Sequence, residues 1–308
     1  MKFLKPKFWE NKTNILTILL IPISILFYFI INLRKYLVSP KKFNIPVICV
    51  GNIYVGGTGK TPLSIEIAND LRLKKRNPVI IKKYYKSHKD EQMMINEMTD
   101  SVILNKDRSQ AIEEAERKNF DIAILDDGFQ DYAIEKNFNI ICFNSNQLIG
   151  NGLVFPAGPL RESSDRLNSV DLILINGDQN EQQNLYIGNT PTLNFSIENE
   201  YLVNLNTSDK LKLKDFKGQT FKVLAGLGNP EKLYKKIEDH GIKIIPIITE
   251  DHGVINLDKL HKEDSYPLLM TPKDAVKYSR PFPDNSYLLE PTIQIDKDYF
   301  LTIFGQYL

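Results

Sequence analysis

The chain has 308 residues, 42% of them apolar and 25% charged, with a formal net charge of +1. That length suits two ordinary domains, the composition is that of an average globular protein, and the near-zero charge balance gives no global electrostatic case for binding nucleic acid. Cys49 and Cys142 both fall inside apolar, strand-like runs, which predicts buried free thiols; no Cys/His cluster has the spacing of a zinc site.

The first predicted element is a membrane helix. Thr13 to Leu33 runs without a charge, and lysines and an arginine flank it on both sides (Lys2, Lys5, Lys7 and Lys12 before; Arg34, Lys35, Lys41 and Lys42 after). Residues 1–36 are assigned to this anchor, and a buried core helix is the alternative.

Pro46 to Val50 is short, apolar and β-branched, which predicts a buried strand. A glycine turn follows, Gly56-Gly57-Thr58-Gly59-Lys60-Thr61, and Pro62 stands where a helix would open, with Leu63, Ile65, Ile67, Ala68 and Leu71 as its apolar side. Strand, glycine turn, Lys-Thr and helix make a phosphate-binding loop. Glycines let backbone amides turn toward phosphate oxygens, and the helix N-terminus adds partial positive charge. Val55, Gly56, Gly57, Thr58, Gly59, Lys60, Thr61 and Pro62 are the expected nucleotide contacts. Lys60 is expected to reach the β- and γ-phosphates, and Thr61 to hold Mg²⁺. The early glycine of the usual pattern is replaced by Tyr54.

Further strands are predicted at Pro78 to Ile81, Ser101 to Leu104, Phe120 to Leu125, Phe138 to Phe143 and Val170 to Ile175, with a helix over Asp107 to Lys118. Lys82 to Met98 reads as polar and irregular at first. The strand at 120–125 ends in Asp126-Asp127-Gly128, which suits either a turn or the Mg²⁺-positioning acids of a P-loop enzyme. Ile149 to Leu167 is a long loop carrying Arg161 and Glu162. This alternation predicts an α/β, P-loop NTPase-like core at 37–188: a mostly parallel sheet with helices on both faces. Thr190 to Asn206 suits two antiparallel strands in a linking ribbon (189–217). A second, smaller α/β domain is predicted at 218–308, with strands at FKVLAG, Ile242 to Ile248 and Pro267 to Met270, a helix opening at Asn229-Pro230-Glu231, and a short helix at Thr271-Pro272.

Six motifs in this order resemble the tetraacyldisaccharide 4′-kinase family, the lipid A 4′-kinases of Gram-negative bacteria. They are VGNIYVGGTGKTP (50–62), LDDGFQ (125–130), GNGLVFPAGPLRE (150–162), GLGNPEKL (226–233), EDHG (250–253) and TPKDAVK (271–277). That family also lacks the early glycine. The resemblance implies transfer of the γ-phosphoryl group of ATP, with Mg²⁺, to the 4′-hydroxyl of an acylated disaccharide lipid at the cytoplasmic face of the inner membrane. It implies Asp126 and Asp127 as metal-side acids with Glu162 contributing, and Gln130, Arg161 and Tyr85 near phosphates or acceptor. Asp90 becomes the expected base, with His252 its partner. The chain departs from the family at Asp131 and Gly253, where histidines are usual, at Pro272, and in the turn Lys83-Tyr84-Tyr85-Lys86. A membrane-tethered ATPase switch, or a degenerate kinase of the same family, would share the loop and the helix; the 149–167 loop and second domain argue against a switch.

Overall fold

The computed structural model describes residues 6–10, 14–85, 89–99, 101–177, 190–226, 230–248, 255–257, 260 and 266–305. The first long element is α1, Ile15–Leu37. The Asn14 side chain caps it by accepting from the Leu16 amide, and Asn32 folds its amide back onto the Tyr28 carbonyl, so neither asparagine interrupts it. The helix continues through Pro22.

The strands are β1 Val47–Gly51, β2 Pro78–Lys83, β3 Val102–Asn105, β4 Ile122–Asp126, β5 Phe138–Asn144, β6 Leu172–Asn176, β7 Thr192–Asn204, β8 Lys210–Lys212, β9 Thr220–Leu224, β10 Lys243–Ile247, β11 Leu268–Met270 and β12 Ser286–Ile295. The helices after α1 are α2 Lys60–Leu73, α3 Lys89–Thr99, α4 Arg108–Arg117, α5 Glu231–Asp239, α6 Pro272–Ala275 and α7 Lys297–Phe304. All the strands belong to one sheet, in the order β10-β9-β11-β12-β7-β6-β5-β1-β4-β2-β3, with β8 also on β7. The run from β3 to β7 is parallel, as is the run from β12 to β10, and the two meet at an antiparallel β7–β12 pair.

That junction sets the site. Phe195 of β7 lies level with Asn176, the last residue of β6, so the rest of β7 projects beyond the C-terminal edge of the first run. The projecting part pairs with β12, and Met270, the last residue of β11, sits beside Leu288, itself opposite Val203. Because β12 runs back along β7, the second set of strands points its C-terminal ends toward those of the first. Roughly 25 Å of β7 separates the two edges, at ~3.4 Å per residue.

Helices cover both faces of the first run, as expected: α2 buries Leu63, Ile67 and Leu71 on one face, and α4 buries Ala111, Ile112 and Ala115 on the other. Several elements differ from the sequence reading. The segment at 190–206 holds one 13-residue strand, β7, where two strands were expected; β7 is an interior strand of the sheet, and β8 pairs with its far end. Helix α2 opens at Lys60, two residues before Pro62, which fits the first turn because no helical partner awaits its missing N–H. Part of the stretch that reads as irregular is helix α3, whose Met94, Ile95 and Met98 pack on the core beside α2. Strand β12 and helix α7 close the chain by leaving the second half. Ile293 and Phe300 join the core under α2, and Lys297 bridges Glu66 (2.9 Å) and Asp70 (3.2 Å). The polar stretch Gly177 to Gly188, read as a boundary, lies outside the described residues beyond Gly177. Both cysteines are buried free thiols, and burial pushes each up to about 12.

Candidate active site

The space between the two facing edges is a cavity of about 910 Å³. Its floor is the loop after β1. Gly51 can only be glycine there, since a Cβ would lie 2.5 Å from the Phe129 Cβ. Asn52, fully buried, donates to the Gly56 carbonyl (3.1 Å) and the Thr58 hydroxyl (3.3 Å), folding the loop over itself. Gly59 caps α2 in the left-handed region (φ 90°), which turns the chain into the helix beneath the loop. Tyr54 is buried and forms a β-bridge with Leu160, and the Val55 amide donates to the Pro159 carbonyl (2.9 Å). Tyr54 therefore ties the phosphate loop to the 149–167 loop. Val55, expected among the nucleotide contacts, gives its amide to Pro159 and is not among the described residues lining the cavity; Gly56 to Pro62 line it.

The acids at the end of β4 face this loop. Asp126 is fully buried and its Oδ2 accepts from the Thr61 hydroxyl (2.9 Å) and from Lys82 Nζ (2.5 Å). Its Oδ1 has no hydrogen-bond partner among the described residues. Asp127 adopts a left-handed backbone (φ 57°), held by Arg108, which donates to the carbonyls of Asp126 (3.2 Å) and Asp127 (2.8 Å). The Asp127 carboxylate takes Arg161 at 3.0 Å and Lys60 at 3.6 Å. Burial opposes its charge, but Lys60 and then Arg161 outweigh burial and hold the group below its ordinary 3.8. These ion pairs therefore persist above pH 3.8 and are lost only as the pH falls through the lowered value. Gln130 lines the cavity, donating to the Asn52 carbonyl (2.9 Å) and accepting from Arg161 (3.3 Å).

Glu162 is not brought to this cluster. The chain bends at 161–162, and Arg161 faces the cavity while Glu162 turns away. It lines a separate cleft beside α1 with Tyr132, and Arg166 Nε donates to it (3.2 Å). The metal-side expectation for Glu162 is corrected accordingly. Thr61 and Asp126 do suit Mg²⁺, because a hydroxyl, a buried carboxylate and an orphaned carboxylate oxygen are hard oxygen donors side by side. No group of three or more His, Cys, Asp or Glu forms a metal cage among the described residues, and Mg²⁺ in phosphate sites needs none, since substrate phosphates and water complete its shell.

The second edge supplies the opposite wall through Thr271, Pro272 and Lys273. Asp274 holds this wall: it accepts from the Thr271 hydroxyl (2.6 Å), the Gly226 amide (2.8 Å) and Lys277 (2.8 Å), and is buried. Asp274→Ala would strand Lys277 in the interior, and a loss of about 3–5 kcal/mol in urea unfolding is expected; a loss under ~1 kcal/mol would contradict this role. Asp90 is buried in the first turn of α3, with Lys273 Nζ 3.5 Å from its carboxylate. It is not among the described residues lining the cavity, whereas Lys273, Tyr85 and Met94 around it are. His252 and Gly253 lie outside the described residues. Asp131, where the family usually has histidine, sits 3.5 Å from Arg108. Lys82, Arg108, Lys273 and Arg34 line the cavity without having been expected there.

A glycine loop at a helix mouth, a Thr–Asp pair beside it and a facing wall for an acceptor define a P-loop phosphotransferase. The chain belongs to the tetraacyldisaccharide-1-P 4′-kinase family, whose model matches residues 16–308. It is 36% identical over 253 residues to the tetraacyldisaccharide 4′-kinase of Pelagibacter ubique, covering 80% of this chain and 76% of the relative. The Actinobacillus succinogenes enzyme of that name is 33% identical over 299 residues, 89% of each chain. The crystal structure of LpxK from Aquifex aeolicus in complex with ATP has the same fold, with a TM-score of 0.78 at 24% identity over 95% of this chain and 99% of that one.

Proposed function

We propose that this kinase moves the γ-phosphoryl group of ATP onto the 4′-hydroxyl of a tetraacyldisaccharide 1-phosphate, in lipid A synthesis, at the cytoplasmic face of the inner membrane. The observation that carries the reading is the opposition of two sheet edges across one cavity, with a phosphate loop on one and the 271–273 wall on the other. The amides of 56–61 and the Lys60 ammonium would hold the β- and γ-phosphates, while Arg161 neutralises charge that develops on the transferred group. Thr61 and Asp126 would hold Mg²⁺, which when bound polarises the phosphates. Asp90 would accept the proton of the sugar hydroxyl, with Lys273 fixing its direction and His252 as its partner. Tyr85 and Gln130 would border the acceptor.

Helix α1 supports the membrane part of the reading. It is long and apolar enough to cross a bilayer, and most of its apolar side chains are exposed. Yet it is fastened sideways to the body: Ser24 Oγ accepts from the Ala157 amide (2.8 Å) and Phe27 meets Phe155 edge-on (5.7 Å between ring centres), and in the segment before the helix Trp9 donates to the Pro156 carbonyl (3.0 Å). Arg34 in its last turn lines the cavity, so the anchor and the site share a border. An acylated sugar would then reach the site without leaving the bilayer. Leu19→Asp with Leu26→Asp places two charges on the exposed apolar side, each costing about 2.5–3.5 kcal/mol in a bilayer core. Loss of flotation with phospholipid vesicles is expected, with phosphoryl transfer to detergent-dispersed acceptor retained; unchanged flotation would contradict the anchor.

The function itself is tested by incubating purified protein with Mg²⁺, ATP labelled at the γ-position and the tetraacyl disaccharide monophosphate. Label should enter the lipid in step with ATP loss, and folded protein that consumes ATP without labelling lipid overturns the reading.

A further inference from the structure

Lys82 is a buried cation in the cavity that the kinase reading leaves without a task. It stands near the end of β2, level with Asp126 on the adjacent β4, and its stem reaches sideways across the strand gap. Its ammonium contacts Asp126 Oδ2 at 2.5 Å, on the same oxygen that receives the Thr61 hydroxyl at 2.9 Å. The two side chains are only 9% and 0% exposed. The neighbouring Asp127 has its own cations, Lys60 and Arg161. Among the described residues the ion pair to Asp126 comes from one lysine, at the carboxylate that also meets Thr61.

We propose that Lys82 is a built-in counter-ion for Asp126, which keeps the carboxylate occupied in the nucleotide-free kinase so that the divalent metal enters together with the nucleotide. Where solvent is excluded, an ammonium in contact with a carboxylate is held far more strongly than at the surface. A divalent ion arriving alone meets the repulsion of that ammonium, even at the open Oδ1, and gains little. With a nucleotide in the loop, phosphate oxygens add ligands to the metal and offer the displaced ammonium a new anionic partner within the same cavity, which Lys82 already lines. The flexible four-carbon stem and its place at the strand end allow that movement. The inference rests on the phosphate-loop reading of 56–61.

The test is metal binding, read without catalysis. The full chain is titrated with Mn²⁺ and the free ion followed by electron paramagnetic resonance, with and without ADP. Wild type should bind Mn²⁺ weakly alone and markedly tighter with ADP. Lys82→Met should raise the nucleotide-free Mn²⁺ affinity by about tenfold or more, from removal of a close competing charge, and Lys82→Arg should stay near wild type. Damage to the fold would weaken metal binding, so the expected rise has the opposite sign from a structural defect. If Lys82→Met does not fold, Lys82→Gln removes the charge while keeping a hydrogen-bond donor, and the same rise is expected. Unchanged or weaker nucleotide-free Mn²⁺ binding in the folded variant overturns the proposal. So does a tenfold loss of metal-free ADP affinity with Mn²⁺ binding unchanged, which would make Lys82 a phosphate ligand instead. Wild type that binds no ADP at all defeats the phosphate-loop reading and this inference with it; wild type that binds ADP while the variants match it in Mn²⁺ affinity defeats the inference alone.

Discussion

Lys60→Ala is expected to lower phosphoryl transfer by about 10³-fold or more while leaving the fold intact, because the ammonium is asked to stabilise charge on the β- and γ-phosphates. Such a loss corresponds to roughly 4 kcal/mol of transition-state stabilisation. Lys60 begins α2 and its ammonium rests 3.6 Å from Asp127, so its side chain already points into the cluster before any nucleotide is present. Truncation removes no core contact, since the apolar face of α2 is made by Leu63, Ile67 and Leu71. Asp127 keeps Arg161 at 3.0 Å, so the mutation leaves no carboxylate unpaired. Circular dichroism and thermal unfolding close to wild type, together with transfer at the background rate, are the expected pair of results. Transfer within about tenfold of wild type would show that the loop does not carry the phosphates.

Asp90→Ala should show a different pattern. A general base contributes about 10²–10⁴-fold to turnover, and that loss should fall on kcat with nucleotide affinity held within about twofold. The separation follows from the fold: Asp90 stands on α3 against Lys273 of the opposite wall, while the proposed nucleotide grip is the loop after β1. Single-turnover transfer and equilibrium nucleotide binding measured on the same protein distinguish the two effects. Weakened nucleotide binding with unchanged turnover would remove Asp90 from the role of base.

How much of this was legible in the sequence depends on how local each signal is. The phosphate loop is a contiguous string with its own strand and helix, and its geometry follows from glycines and a helix mouth that need no distant partner. The Asp126-Asp127 pair is equally local, and Thr61 meets Asp126 because parallel strands β1 and β4 are neighbours. Strand β12 was hidden by Pro291 and by a break in register between Glu290 and Thr292, which disrupt the alternation that marks a strand. Helix α3 opens on charged residues and covers the core mainly with methionines, so its apolar side was faint. Reading 190–206 as two strands failed because one long strand with both sides partly covered does not alternate cleanly.

The site shows the same division. Glu162 was placed on the metal side by the family resemblance, and the chain bends at 161–162 so that Arg161 lines the main cavity while Glu162 lines a separate cleft. Lys82 reads as the first residue of the polar, irregular stretch after the strand at 78–81; only its register beside Asp126 gives it a meaning, and register is a property of the sheet. Lys273 reaches Asp90 from 183 positions further along, through the turn-back of β12 on β7. No spacing rule links those two residues. Tyr54, in place of the usual glycine, has a structural reason that the motif pattern could not supply: it fastens the phosphate loop to the 149–167 loop through Leu160.

The central claim is that one cavity between opposed sheet edges holds the triphosphate on the 56–61 loop and faces its γ-phosphorus toward the 271–273 wall. A crystal structure of the full chain with a non-hydrolysable ATP analogue and Mg²⁺ tests it most directly. The account predicts phosphate oxygens within hydrogen-bond distance of the 56–61 amides and Lys60, the metal beside Thr61 and Asp126, and the terminal phosphate open toward Lys273 and Asp90. An analogue bound elsewhere, or this pocket closed by its own side chains at saturating nucleotide, would contradict it.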